Sequence, residues 1–145
     1  MGEARLQVAT VPVRQDPDRQ WQVLLITSRE THRWVIPKGW PMKGRTDAQA
    51  AAREAFEEAG VEGRVRKKPV GKYQYWKRGV SEFMLCEVTV FLLEVKAQLE
   101  TWPEKGQRRL QWFPIDVAAQ LVEEPGLSAV LSKLETRLSR SEKRS

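Results

Sequence analysis

One cysteine and one histidine are all that the 145 residues hold of two highly reactive side-chain types. A lone Cys86 forms no internal disulfide, and the chain carries no Cys/His cluster of the kind that binds zinc. His32 by itself leaves a serine–histidine or cysteine–histidine catalytic pair without support. Cys86 also falls inside an apolar run, where it reads as a small buried hydrophobe rather than a reactive thiol. No apolar stretch reaches the ~20 residues of a membrane-spanning helix. The N-terminus lacks the apolar core of a secretory leader, so a cytoplasmic protein without membrane attachment is the expectation.

The remaining composition is that of one folded domain: 41% hydrophobic and 30% charged residues, at a length close to the commonest domain size. The net charge is +6, with a pI near 9.7. A basic chain with a localised acidic helix suits a polyanionic substrate clamped through a metal ion. The plainer account is that surplus Lys and Arg solvate the surface. Part of the excess lies in the tail Arg137–Ser145, which has no apolar periodicity after Leu138. That places a single domain over residues 1–138, with residues 139–145 as a fraying polar tail.

Hydrophobic patterning gives mixed strands with few helices. Arg5–Val13 and Trp21–Thr27 read as strands around an Asp16-Pro17-Asp18 turn. Trp34-Val35-Ile36 is a short extended piece ended by Pro37. Gly63–Lys72 and Lys72–Trp76 read as strands, with Lys77-Arg78-Gly79 as a hairpin turn. Phe83–Val95 is the longest strand, and Leu110–Phe113 is short. Pro114 opens a helix through Val122, and Gly126–Leu138 is the last helix.

The most informative stretch is Arg53-Glu54-Ala55-Phe56-Glu57-Glu58-Ala59-Gly60, in an alanine-rich run that predicts a helix. Thr46 and Gln49 form a capping-box pattern that starts it at residue 46 or 47, and Gly60 stops it. Glu54, Glu57 and Glu58 share one face, with Asp47 and Ala50 further back along it. Ala48, Ala52, Ala55, Phe56 and Ala59 form the face to be buried. Three acids so close repel one another. A divalent cation removes that cost, and hard oxygen ligands suit magnesium or manganese. Most acidic helix faces are merely solvated. This one is set apart by Arg53, four residues before Glu57 and able to orient it, and by the glycine loop that leads into the helix.

Gly39, five residues, position 45, seven residues, then Arg53-Glu54-Ala55-Phe56-Glu57-Glu58-Ala59-Gly60-Val61 resembles the signature of the Nudix hydrolases. In that family the signature is a loop–helix–loop that binds magnesium and cleaves nucleoside diphosphates linked to another group. The resemblance implies an α/β fold, a mixed β-sheet sandwiched between α-helices. It makes Glu54, Glu57, Glu58 and Gly39 the metal set, Glu57 or Glu58 the base, and Arg53 their orienting partner. One position departs: the family's first glutamate falls on Arg45.

The flanks resemble the diphosphoinositol and dinucleoside polyphosphate phosphohydrolases. Ile26-Thr27-Ser28-Arg29 and Arg33-Trp34-Val35-Ile36-Pro37-Lys38-Gly39 match one stretch of that group. Leu99-Glu100-Thr101-Trp102, Gly106-Gln107-Arg108-Arg109 and Gln111-Trp112-Phe113 match another. The resemblance implies phosphate contacts from Arg14, Ser28, Arg29, Lys38, Arg108 and Arg109, with Arg45 recruited at the helix N-terminus. A chain of five or six phosphates needs several such donors. Exposed Lys and Arg are common, so each residue alone is an even choice between substrate contact and surface.

The implied activity is magnesium-assisted hydrolysis of phosphoanhydride bonds in a small-molecule dinucleoside or diphosphoinositol polyphosphate. The alternatives are an RNA 5′-pyrophosphohydrolase, the one reading with a nucleic-acid partner, and a binding module without catalysis. No aromatic–basic RNA module is evident, and the intact glutamates oppose the third reading. The oligomeric state is left open, a monomer included. Trp34 and Trp112 read as framework. Trp40 either stacks on a nucleobase or packs in the core. Glu87, mid-strand, either faces the metal or faces solvent, and solvent is the reading.

Overall fold

The computed structural model describes residues 4–144. In chain order it forms β1 (Arg5–Gln15), β2 (Trp21–Thr27), β3 (Trp34–Val35), β4 (Lys38–Gly39), α1 (Asp47–Ala59), β5 (Val61–Val65), β6 (Gly71–Arg78), β7 (Phe83–Gln98), β8 (Leu110–Pro114), α2 (Ile115–Leu121) and α3 (Pro125–Arg144). All the strands join one mixed sheet. β1 runs parallel to β7 from Arg5 opposite Cys86 to Val13 opposite Glu94. Its other edge pairs antiparallel with β2 near residues 13–15 and with β4 at Val8 and Ala9. β2 carries β3 and β8, and the far edge of β7 carries β6 and then β5.

Strand alternation divides the core between two faces. Ala9, Val11 and Val13 of β1 join Val88, Val90 and Leu92 of β7 beneath α2 and α3. Val8 and Phe91 point the other way and meet Ala48, Ala50 and Ala51 of α1. Leu24, Ile26 and Leu93 continue that second face against Ala55, Ala59 and Val61. Each fully buried Val, Leu or Ile contributes about 1.5–3 kcal/mol. The expected mixed sheet between helices is what forms. No helix among the described residues is long and apolar enough to cross a membrane.

α1 begins as its sequence dictates: Thr46 accepts from the Gln49 backbone N–H, and the Gln49 side chain accepts in return from Thr46. Gly60 ends it at φ 67°, in the left-handed region that glycine enters freely. Its buried face is turned from the expected one. Ala50, Ala51 and Glu58 are buried, while Ala52 and Phe56 are half-buried. The alanines let the helix sit so close to the sheet that the boundary of its acidic face is buried too.

Other boundaries also move. The expected strand over 63–72 is two elements: β5 ends at Val65, and a turn precedes β6. β6 extends through Lys77 and Arg78, and the hairpin turn is 79–82. α3 continues to Arg144, six residues beyond the last apolar helical position, because nothing in the polar segment breaks a helix. Cys86 is buried, as its apolar setting implied.

Candidate active site

The C-terminus of α1 leaves carbonyls without helical partners, and the segment between β7 and β8 satisfies them. Leu99 N–H donates to the Gly60 carbonyl at 2.8 Å and Glu104 N–H to the Glu57 carbonyl at 3.0 Å. The Gln98 amide donates to the carbonyls of Ala59 and Gly60. Trp102 packs against Gly60 so closely that a Cβ on Gly60 would overlap its ring. This docking carries Glu104 and Arg108 to the acidic face of α1.

The Arg108 guanidinium lies 3.8 Å from Glu58 and 3.5 Å from Glu104, and it donates to the Thr27 carbonyl at 3.2 Å. Arg29 joins the same group, donating to Gln107 at 2.9 Å and lying 3.9 Å from Glu104. On the other side, the Lys38 backbone N–H makes a long 3.4 Å hydrogen bond to Glu58. Gly39 lies against the Glu54 carboxyl, which occupies the space a Cβ would fill. Arg53 holds Glu57 at 3.0 Å, as its i,i+4 spacing implied, and stacks on Phe56.

The electrostatics reflect this crowding. Burial pushes Glu58 up to about 8, a hydrogen bond with Glu54 adds to the shift, and Arg108 offsets part of it. Burial also raises Glu54, with Glu57 and Glu104 adding repulsion. Burial lowers the Lys38 ammonium despite the opposing pull of Glu58. Two facing carboxyls can share such a site only with a proton or a cation between them. Their hard oxygens beside a side-chain-free Gly39 fit a divalent metal. No three acidic side chains among the described residues converge on one point, since Glu57 is turned toward Arg53. Glu54 and Glu58 are therefore the pair that would seat the ion, with Glu57 completing the set by rotation.

The seven expected substrate contacts separate. Arg29 and Arg108 are brought to the carboxylates, Lys38 reaches Glu58 through its backbone N–H while its ammonium lies over the Tyr75 ring, and Ser28 stands beside Arg29, its hydroxyl bonded to Thr31. Arg14 is not brought there. It sits at the far end of β1 from the Gly39 pairing, roughly 20 Å along the strand, bonded to Gln22 and stacked over Trp112 at 4.2 Å. Arg109 turns away from Arg108 and lies over Trp34, 5.6 Å from the ring centroid. Arg45 lines a groove of about 580 Å³ on the outer flank of α1, together with Arg53, Phe56 and Leu93. Glu87 is half-buried and 3.7 Å from Lys72. Trp34 and Trp112 pack on the core edges as framework, whereas Trp40 is 43% exposed. Residue reading missed Glu104 and Gln107. The one signal was an acid four residues before Arg108.

A family model described as the NUDIX domain matches residues 4–134. The chain is 38% identical over 112 residues to Nudix hydrolase 13, mitochondrial, of Arabidopsis thaliana, an alignment covering 73% of this chain and 55% of that protein. It is 29% identical over 109 residues to diphosphoinositol polyphosphate phosphohydrolase 3-beta of Bos taurus, covering 73% of this chain and 63% of the relative. The chain thus spans a little over half the length of these relatives. Among solved structures, a C. elegans Ap4A hydrolase binary complex shares the fold with TM-score 0.69 at 18% identity, covering 94% of this chain and 98% of the other. Carboxylate helix, sheet order and family match agree, and the chain belongs to the Nudix family.

Proposed function

We propose that this protein hydrolyses phosphoanhydride bonds of dinucleoside polyphosphates or diphosphoinositol polyphosphates, with a magnesium ion held by Glu54, Glu57 and Glu58. The observation that carries this reading is the partly buried Glu54–Glu58 pair facing Gly39, flanked by Lys38 on one side and Arg108 on the other. The names of the bovine relative and of the C. elegans structure support the same substrate class.

When bound, the cation would neutralise charge on adjacent phosphates and make a coordinated water more acidic. The chain's own groups do the rest. Glu57 or Glu58 would take a proton from the attacking water, with Arg53 orienting Glu57 through their 3.0 Å pair. Arg29 and Arg108, joined through Glu104, with Lys38 on the far side of Glu58, would supply the cations for a row of phosphates. Arg14, Arg109 and Arg45 have other surroundings and are left out of the proposed substrate contacts.

Incubation with magnesium and a panel of dinucleoside polyphosphates, diphosphoinositol phosphates, capped RNA and triphosphorylated RNA tests the proposal. Cleavage of the first two classes, abolished by chelation, is the expected result. Much faster release of pyrophosphate from triphosphorylated RNA would overturn the substrate class.

A further inference from the structure

β5 ends one side of the sheet. Among the described residues it pairs with β7 and with no second strand, so one row of its N–H and C=O groups is unpaired. Glu62, Gly63 and Arg64 are exposed there, and no proline blocks the edge. A register shift between Glu62 and Gly63 leaves residues 63–65 as its regular part.

Beside this edge runs the groove of about 580 Å³, walled by α1 and by β5. Its two walls have matched lengths. Residues 47–56 of α1 rise about 15 Å, and the five residues of β5 extend about 17 Å. That is room for an extended segment of about five residues. Phe56, Val61, Val65 and Leu93 give it an apolar floor. The chain reverses at Gly60, and Val65 packs against the cluster of Ala48, Ala50 and Ala51 in the first half of α1. Arg45 therefore stands at the Val65 end.

Charge selects the occupant. The Arg45 side chain has no ion pair, hydrogen bond or ring partner among the described residues; only its backbone N–H is engaged, donating to the Met42 carbonyl at 3.2 Å. Arg53 spends its Nε on Glu57 and leaves its two terminal nitrogens without a protein acceptor. Glu62 is the one acid lining the groove, exposed on the β5 wall. A second copy of this chain, with its net charge of +6, is poorly matched to two arginines. None of Glu54, Glu57 and Glu58 lines the groove, so it is a place apart from the carboxylate site.

We infer that the groove docks an extended acidic–apolar segment of a partner protein. The segment adds as a strand to β5, its alternate apolar side chains enter the floor, and a carboxylate pairs with Arg45. In such additions the main chain supplies affinity and the side-chain pockets supply selectivity. This goes beyond the hydrolase reading and stands without it.

The test pans a displayed library of random linear peptides against the full chain, as wild type and as Arg45→Glu. Peptides enriched on wild type should carry an acid beside alternating apolar residues. A synthetic copy should shift the backbone amide resonances of Gly63, Arg64 and Val65, and should bind Arg45→Glu roughly fivefold or more weakly. Of two copies methylated at opposite sets of alternate backbone nitrogens, one should keep binding and the other lose it, because only one set faces β5. Thermal midpoints of the two proteins should be alike, since Arg45 has no partner to lose. No enrichment, equal binding to Arg45→Glu, or equal behaviour of the two methylated copies would overturn the inference. Self-association of wild type that shifts the same resonances would put a second copy in the groove and overturn it as well.

Discussion

Glu58 is where the electrostatics of the site converge: buried, hydrogen-bonded with Glu54 and facing Arg108. Glu58→Gln and Glu57→Gln keep volume and helix propensity but remove charge. Turnover of diadenosine tetraphosphate should fall by about 10²–10³ or more, with the far-UV circular dichroism unchanged. Full activity in both variants would remove these residues from the mechanism. Arg108, with a side chain 11% exposed, binds two acids and a carbonyl. Its replacement by Ala should cost about 2–3 kcal/mol by stranding buried partners, read as a fall in Tm of roughly 5–10 °C. Arg109→Ala should change stability by less than about 1 kcal/mol, since only a stacked, partly exposed cation is lost. In the sequence these two arginines looked equivalent. Their opposite fates are set in the loop before β8, which turns Arg108 to Glu58 and Arg109 over Trp34, an orientation that a motif match leaves undetermined.

At the scale of elements, α1 was legible from end to end because its signals are local: a capping box, alanines and a glycine stop. The segment after β7 was not legible, because its contacts are with a helix some forty residues earlier in the chain. Gly60 and Gly39 separate the two roles of this contact zone. Gly60→Ala meets both a left-handed φ and the Trp102 ring, so it should destabilise by about 2 kcal/mol or more and reduce activity by loosening Glu104 and Arg108. Gly39→Ala meets only the flexible end of Glu54 and should lower turnover with little change in Tm. Equal effects of the two on Tm would contradict this division.

The Arg66 hydrogen bond, 2.8 Å long, holds the Glu94 carboxyl below the usual carboxylate range where β5 meets β7. A depressed folded pKa stabilises above the unfolded value, about 4.3, and the contribution is lost as pH falls through the folded value. Urea unfolding at pH 7 and pH 3 should therefore show a smaller pH effect in Arg66→Ala than in wild type. The difference should be under about 1 kcal/mol for so exposed a pair.

In the whole molecule, the sheet's two faces were legible as alternating apolar strands, but its order was not. The pairing of β1 with β7 joins segments with no local signal for each other. One face of the sheet depends on the C-terminal strand and helices, which lie beyond the site in the chain. Ile115, Leu127, Leu131 and Leu134 cover Val11, Val13 and Val90. A chain cut after Gln107 keeps every acidic residue of the cluster yet leaves that face bare and β2 without β8. It should lose near-ultraviolet circular dichroism and cooperative unfolding; a sharp thermal transition in it would show that the helices are dispensable.

The central place of β1 also bears on synthesis. Val8–Val13 is an apolar segment whose main partner begins at Phe83. At 5–20 residues per second, translation leaves it waiting about 4–14 s for that strand. The sheet cannot close around its own first strand during that interval.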